Sequence, residues 1–287
     1  MNQDKMVEIL SELVPEEGVI KDFIHGIDLF RITDSTPRSP QNYQPCIIIL
    51  AQGQKKVFIA DESFIYDPLN YLVVSVPLPL ECETTASLEK PLLGITVKID
   101  MAIISEIMFE IDEDKPYDFK STPKGIYSGI MDNNLIDACT RLLNVLSSPL
   151  DRQFLGSLIV KEIIYRILNS KKGEALRFLA FRNQRFYKIA RILEKIHRSY
   201  SEKFDISSLA KEAGMSISAF HSSFKAITNC SPLQYIKNVK LHKARLLIIE
   251  EGINAFETSS RVGYESPSQF SREYKRLFKI TPGKDAI

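Results

Sequence analysis

The chain has no tryptophan, and only four cysteines and four histidines occur among its 287 residues. Cys46, Cys82, Cys139 and Cys230 are far apart and form no Cys-x-x-Cys pair, which argues against a thiolate metal site and predicts reduced, structural thiols. Of His25, His197, His221 and His242 only the first lies in the front half, so a three-histidine metal site is excluded there. Gly-x-Gly-x-x-Gly, Gly-x-x-x-x-Gly-Lys and Gly-x-Ser-x-Gly motifs are absent, which removes the common phosphate loops and the nucleophile elbow. Long apolar runs are missing too. The longest, Cys46–Ala51 and Tyr71–Val76, are strand-sized, far short of the roughly 18 residues of a membrane span. The first residues are amphipathic and acidic, unlike a signal peptide, and the expectation is a cytoplasmic protein with no membrane partner.

Net charge is also nearly missing, at +1, but it is unevenly spread. Residues 1–180 hold 18 Lys and Arg against 26 Asp and Glu, net −8; residues 181–287 hold 19 against 10, net +9. A basic tail on an acidic front points to a polyanion partner, or to a solvated basic face.

The hydrophobic period changes at about the same place. Short β-rich runs are predicted at Ile27–Thr33, Pro45–Leu50, Lys56–Ala60, Asn70–Val76 and Leu92–Ile99. Turn formers separate them at Asp34–Pro40, Gln52–Gln54, Asp67–Pro68 and Pro77–Pro79. Such spacing suggests a small barrel or sandwich. A helix over Asp100–Ile111 follows, with Asp100 as cap. Then comes a helical hairpin. Its first stripe is Leu135, Ile136, Cys139, Leu142, Leu143 and Leu146 behind the cap Asp132. Its second is Leu155, Leu158, Ile159, Ile163 and Ile167 behind Asp151. Leu and Ile stripes of this kind serve a core or a dimer face equally well.

The tail contains an internal repeat. Gly214, Ser216, Phe220, Phe224 and Pro232 recur 49 to 50 residues later as Gly263, Ser266, Phe270, Tyr274 and Pro282. Each unit has the pattern of a helix-turn-helix: a cap (Asp205, Asn254), a small residue (Ala210, Ser259), a turn glycine, a second cap, and an aromatic pair at i, i+4. The opposite face of the second helix carries Ser218, His221, Ser222 and Lys225 in unit one. In unit two it carries Ser268, Gln269, Ser271, Arg272 and Lys275. These hydrogen-bonding and basic types suit a major groove. A helix over about Pro232–Glu250 joins the units.

Residues 181–287 resemble the C-terminal domain of the arabinose-operon regulator (AraC/XylS) family. The resemblance is carried by Val262-Gly263-Tyr264-Glu265-Ser266, Gln269-Phe270-Ser271-Arg272, Tyr274-Lys275-Arg276-Leu277-Phe278, Thr281-Pro282 and Ser231-Pro232-Leu233-Gln234-Tyr235. The front resembles the cupin-like regulatory domain of one subgroup, through Tyr43-Gln44-Pro45, Gln52–Val57 and Tyr71–Pro79. Thr258 and Ser259 depart from the family, which usually has an apolar residue and Ala there.

The resemblance implies an α+β protein. A cupin-like β-barrel with a helical hairpin spans 1–180, and an all-α tandem helix-turn-helix domain spans 181–287. It implies base reading by Ser218, His221, Ser222, Ser268, Ser271 and Arg272, with Gln269 beside them. Phosphate contacts are expected from Ser216, Lys225, Lys240, Ser266, Lys275 and Arg276. The implied partners are double-stranded DNA, RNA polymerase, a small-molecule effector and a second copy of the chain; no cofactor and no metal is expected. In the front domain Cys46, Cys82, Lys55 and Lys56 are candidate ligand residues, or else packed thiols and a solvated strand edge. Three readings follow: a ligand-responsive regulator, a regulator whose front only dimerises, and a barrel enzyme with a DNA-binding tail.

Overall fold

The computed structural model describes residues 2–59, 62–111, 123–180 and 185–285. Helix α1 (Asn2–Leu13) leads into nine strands: β1 (Gly18–Ile24), β2 (Ile27–Ile32), β3 (Thr36–Tyr43), β4 (Cys46–Gln52), β5 (Gln54–Ile59), β6 (Glu62–Tyr66), β7 (Asn70–Val74), β8 (Leu78–Thr85) and β9 (Leu92–Lys98). Helix α2 (Met101–Ile111), strand β10 (Ile126–Ile130) and helices α3 (Asn133–Leu146), α4 (Pro149–Leu168) and α5 (Glu174–Ala180) complete the front part.

The strands form two sheets, so of the two expectations, a small barrel or a sandwich, the described ladders do not close the barrel. One has the order β1-β2-β9-β4-β7-β10, the other β3-β8-β5-β6, and no ladder joins them among the described residues. All pairings are antiparallel. The strands expected from apolar patterning, β2, β4, β5, β7 and β9, are the buried ones. Those not anticipated include the edge strands β1, β3, β6 and β10, which bury little. Prolines hid the other case. Pro37 and Pro40 lie on the edge strand β3. Pro79 of β8 pairs with Asn42 beyond the end of the β5 ladder, so its missing N–H leaves no central bond unmade.

One face of the large sheet (Ile27, Leu29, Ile47, Ile49, Ile95, Val97) is fully buried; α1 packs on α3, β4 and β9 through Met6, Ile9 and Leu10. Asp100 and Asp132 cap α2 and α3 as expected. Asp151 does not cap α4: Ser148 does, with Pro149 in the first turn, where its absent N–H is harmless. The inner stripe of α4 is Gly156, Ile159, Val160, Ile163, Ile164 and Ile167. Leu155 and Leu158, expected on that stripe, lie on its flank and are 43% and 62% exposed, beside Leu150 and Phe154.

The rest is helical: α6 (Arg185–Arg198), α7 (Ile206–Glu212), α8 (Ile217–Thr228), α9 (Pro232–Ile249), α10 (Ala255–Arg261), α11 (Pro267–Phe278) and α12 (Pro282–Asp285). The junction placed at 180/181 falls at the end of α5, and residues 181–184 lie outside the described residues. The apolar core continues past it. One buried cluster extends from Met6 to Val239, and a second, around Leu241, Val262, Phe270, Tyr274 and Phe278, joins unit two to the C-terminal half of α9.

Candidate nucleic-acid interface and ligand cavity

The two helix-turn-helix units repeat atom by atom. Asp205 accepts from Ser208 N at 2.8 Å, and Asn254 accepts from Glu257 N at 3.0 Å, closing the starts of α7 and α10. Gly214 (φ 64°) and Gly263 (φ 74°) make the turns. Met215 N bonds Ala210 O at 2.9 Å, and Tyr264 N bonds Ser259 O at 2.9 Å. Ser216 and Ser266 accept from Ala219 N and Gln269 N, each at 3.3 Å. Asn229 and Lys279 end α8 and α11 in the left-handed conformation. Thr258 and Ser259 are fully buried, yet their hydroxyls donate to Ile253 O, just ahead of the helix, and to Phe256 O within it, so the departure from an apolar pair leaves no orphan.

Phe220 and Phe224, and Phe270 and Tyr274, are wholly buried and fasten α8 and α11 from below. Ser218, His221, Ser222 and Lys225 are then exposed, as are Ser268, Gln269, Arg272, Lys275 and Arg276; Ser271 is half-buried. Among the described residues Lys225, Arg272, Lys275 and Arg276 make no ion pair, so their charge faces water. Lys240 differs from its expected place on a basic face. It is buried, and its Nζ donates to Gly263 O at 3.0 Å, holding the turn of unit two.

Sequence reasoning missed Glu273, which is buried on α11. It accepts from Lys237 Nζ at 2.8 Å, Tyr264 Oη at 2.8 Å and Gln269 Nε2 at 3.1 Å. Burial works to raise its pKa, but these donors outweigh it and hold the carboxyl below its usual range. Glu273 thus ties α11 to α9 and restrains Gln269. Its counterpart in unit one is Ser223, so nothing in the repeat signalled it.

The front part contains a cavity of about 530 Å3 between the two sheets. Val19, Phe30, Ile32 and Ile48 supply apolar wall on the large sheet; Asn42, Tyr43, Lys55 and Tyr66 close it on the small one. Tyr43 Oη accepts from Lys55 Nζ and from Cys82 Sγ, each at 3.3 Å, and lies 3.0 Å from Tyr66 Oη. Of the four candidate ligand residues, Cys46 and Lys55 line the cavity and Cys82 sits one bond behind it. Lys56 does not; its ammonium lies 5.1 Å over the Phe58 ring. Burial pushes the Cys46 thiol up to about 12 and raises Cys82, so both are packed thiols rather than reactive thiolates.

The small sheet also bears on the tail. Helix α9 packs on β3 and β8, and α11 on β3. Tyr235 Oη donates to Pro77 O, and His197 Nε2 lies 2.8 Å from the same hydroxyl. Because that hydroxyl spends its only proton on Pro77, His197 must donate through Nε2, which leaves its buried Nδ1 unpartnered. Gly125 N donates to Ile227 O at 3.0 Å, at the end of the first recognition helix. None of these contacts has a sequence signature.

Residues 23–175 match the family model described as "AraC-type transcriptional regulator N-terminus", and residues 209–285 match a helix-turn-helix domain model. Histidine kinase P4 of Formosa agariphila is 32% identical over 84 residues, where the match covers 29% of this chain and only 6% of the kinase. The virulence regulon transcriptional activator VirF of Yersinia enterocolitica is 22% identical over 269 residues, covering 90% of this chain and 96% of VirF. The crystal structure of unsaturated fatty acid-bound ToxT from Vibrio cholerae has the same fold, with a TM-score of 0.58 at 10% identity, covering 94% of this chain and 95% of ToxT. With the regulator N-terminus matched over more than half its length and the paired units in place behind it, the chain belongs to the AraC-type family of helix-turn-helix transcriptional regulators.

Proposed function

We propose that this protein is a ligand-responsive regulator that lays α8 and α11 into successive major grooves on one face of B-DNA, about one turn or roughly 10 bp apart. The observation that carries this reading is the two units' shared turn, caps and buried aromatics, which leave equivalent faces open to solvent. In this reading Ser218, His221, Ser222, Ser268, Gln269, Ser271 and Arg272 read bases. Ser216, Lys225, Ser266, Lys275 and Arg276 contact phosphate; Lys240, buried on Gly263, is left out. Unit one presents small readers, so unit two supplies most of the discrimination. The functional division stays at 180/181, with the two sheets as a cupin-like ligand cup. ToxT, which has the same fold, has been crystallised with an unsaturated fatty acid, which supports a small-molecule effector here.

The exposed face of α4, with Leu150, Phe154, Leu155 and Leu158, favours a second copy of the chain as a further partner. RNA polymerase is the remaining proposed partner, and the cytoplasm, where bacterial DNA lies, the place of action. Selection of genomic fragments by the purified protein at two salt concentrations tests the function. Recovered fragments should share two elements about one helical turn apart and persist as salt rises. Recovery indifferent to sequence, with and without the front domain, refutes it.

A further inference from the structure

If the cavity between the sheets is the effector site, its chemistry restricts the effector. Three lysines line it. Lys98 is neutralised by Asp22 at 2.7 Å and Asp28 at 3.0 Å, and Lys21 is exposed on the edge strand β1. Lys55 is different. It reaches into the cavity wall, and its one polar partner is the Tyr43 hydroxyl; among the described residues no carboxylate lies within 4 Å of it. The wall therefore holds an enclosed cation with no counter-ion, while much of the opposite wall is apolar.

Resting on the ligand-responsive reading above, we propose that the cavity takes a monocarboxylic acid with an apolar body, its carboxylate on Lys55 Nζ. A carboxylate supplies the one charge that Lys55 lacks, and an ammonium enclosed with no counter-ion favours that ligand over its neutral analogue. A neutral polyol would leave the ammonium unpaired and much of the wall without apolar contact. A dianionic phosphate would bring a second charge that the enclosed wall does not match. A volume of about 530 Å3 suits a ligand of this kind. Burial also lowers the pKa of Lys55, and an arriving carboxylate works against that.

The position of the head group gives the ligand a route to DNA affinity. Tyr43 and Lys55 belong to β3 and β5. Farther along the same strands Arg38, Pro40, Phe58 and Ile59 line a second cavity, shared with Asn229 and His242 of the DNA-binding part. A carboxylate drawing on Lys55 and Tyr43 therefore acts on the sheet that touches α9 and α11.

The test titrates the full chain with cis-parinaric acid and its alcohol, and with 2-naphthoic acid and 2-naphthol, in wild type and Lys55→Met. Chain-like and aromatic acids share the head group, and the two pairs distinguish them. At least one acid should bind about tenfold or more tighter than its alcohol, and Lys55→Met should erase that preference while keeping the alcohol's affinity. Lys55→Met should melt no lower than wild type, because it removes an enclosed charge with no counter-ion. Lys55→Gln gives the same reading if Lys55→Met fails to fold. Equal binding of acid and alcohol, or a preference that survives both substitutions, overturns the carboxylate assignment and leaves the cavity as a ligand site. Binding of none of the four probes overturns both.

Discussion

Two buried histidines predict how this protein loses stability in acid. His197, on α6, stands beside the Tyr235–Pro77 contact, and His242 faces the Phe278 ring at 5.4 Å. Burial, with Lys243 adding to it, lowers His197 to about 4; burial, with Arg245 and His197, lowers His242 to about 3. In the unfolded chain both return to about 6.5. The unfolded state therefore binds more protons as pH falls below that value, and folding stability falls with it. At about pH 5, roughly 1.5 pH units below the unfolded value, each histidine costs about 2 kcal/mol at about 1.4 kcal/mol per pH unit. The pair together costs roughly 4 kcal/mol, a large fraction of an ordinary domain's stability. The measurement is urea unfolding of the full chain at about pH 7.5 and pH 5, for wild type, His197→Gln and His242→Gln; each variant should remove roughly 2 kcal/mol of the difference. A pH dependence unchanged in both variants refutes the reasoning. The first contact to suffer should be the Tyr235 lock between the front part and unit one, seen as earlier proteolysis there.

Gly263→Ala places a Cβ 1.9 Å from Ser201 O at a φ of 74°, so backbone must move and the loss should exceed the cost of the strained φ alone, about 1 kcal/mol or more. Gly214→Ala meets only Lys188 Nζ at 3.8 Å and should lose about 1 kcal/mol from φ; thermal melts that rank the two the other way contradict the packing argument. Arg272→Ala should cost about 1–3 kcal/mol of affinity and relax choice at one base pair, whereas Lys275→Ala should weaken all sequences alike and reduce the salt slope. A salt titration of both variants on one selected site separates these roles. Leu158→Glu, on the exposed face of α4, should leave the melt nearly unchanged and convert any dimer to monomer in sedimentation; a monomeric wild type would dismiss that face as a dimer surface.

Much of the tail was legible because its information is local. A glycine forced to positive φ, a serine whose hydroxyl accepts from an amide three residues on, and aromatics one turn apart are written within a dozen residues, and they occur twice. The buried central strands were legible for the same reason, since two-sided burial leaves continuous apolar runs such as Cys46–Ala51. Edge strands carry no such run. Leu155 and Leu158 show the limit of periodicity, because an apolar residue on the flank of a helix reads the same as one beneath it.

The paired helix-turn-helix units, their caps and turns, and the outward sets around His221 and Arg272 could be read residue by residue, because each depends on contacts within one unit. Folding in three dimensions set the strands into two sheets with a cavity between them. It also decided that Lys55 enters that cavity and Lys56 does not, and that Lys240 is spent on Gly263. The Glu273 network and the Tyr235 hydroxyl on Pro77 belong to the same class. Those outcomes depend on partners tens to more than a hundred residues apart, brought together by burial of the apolar core, and no short stretch of sequence encodes which distant group a side chain will meet.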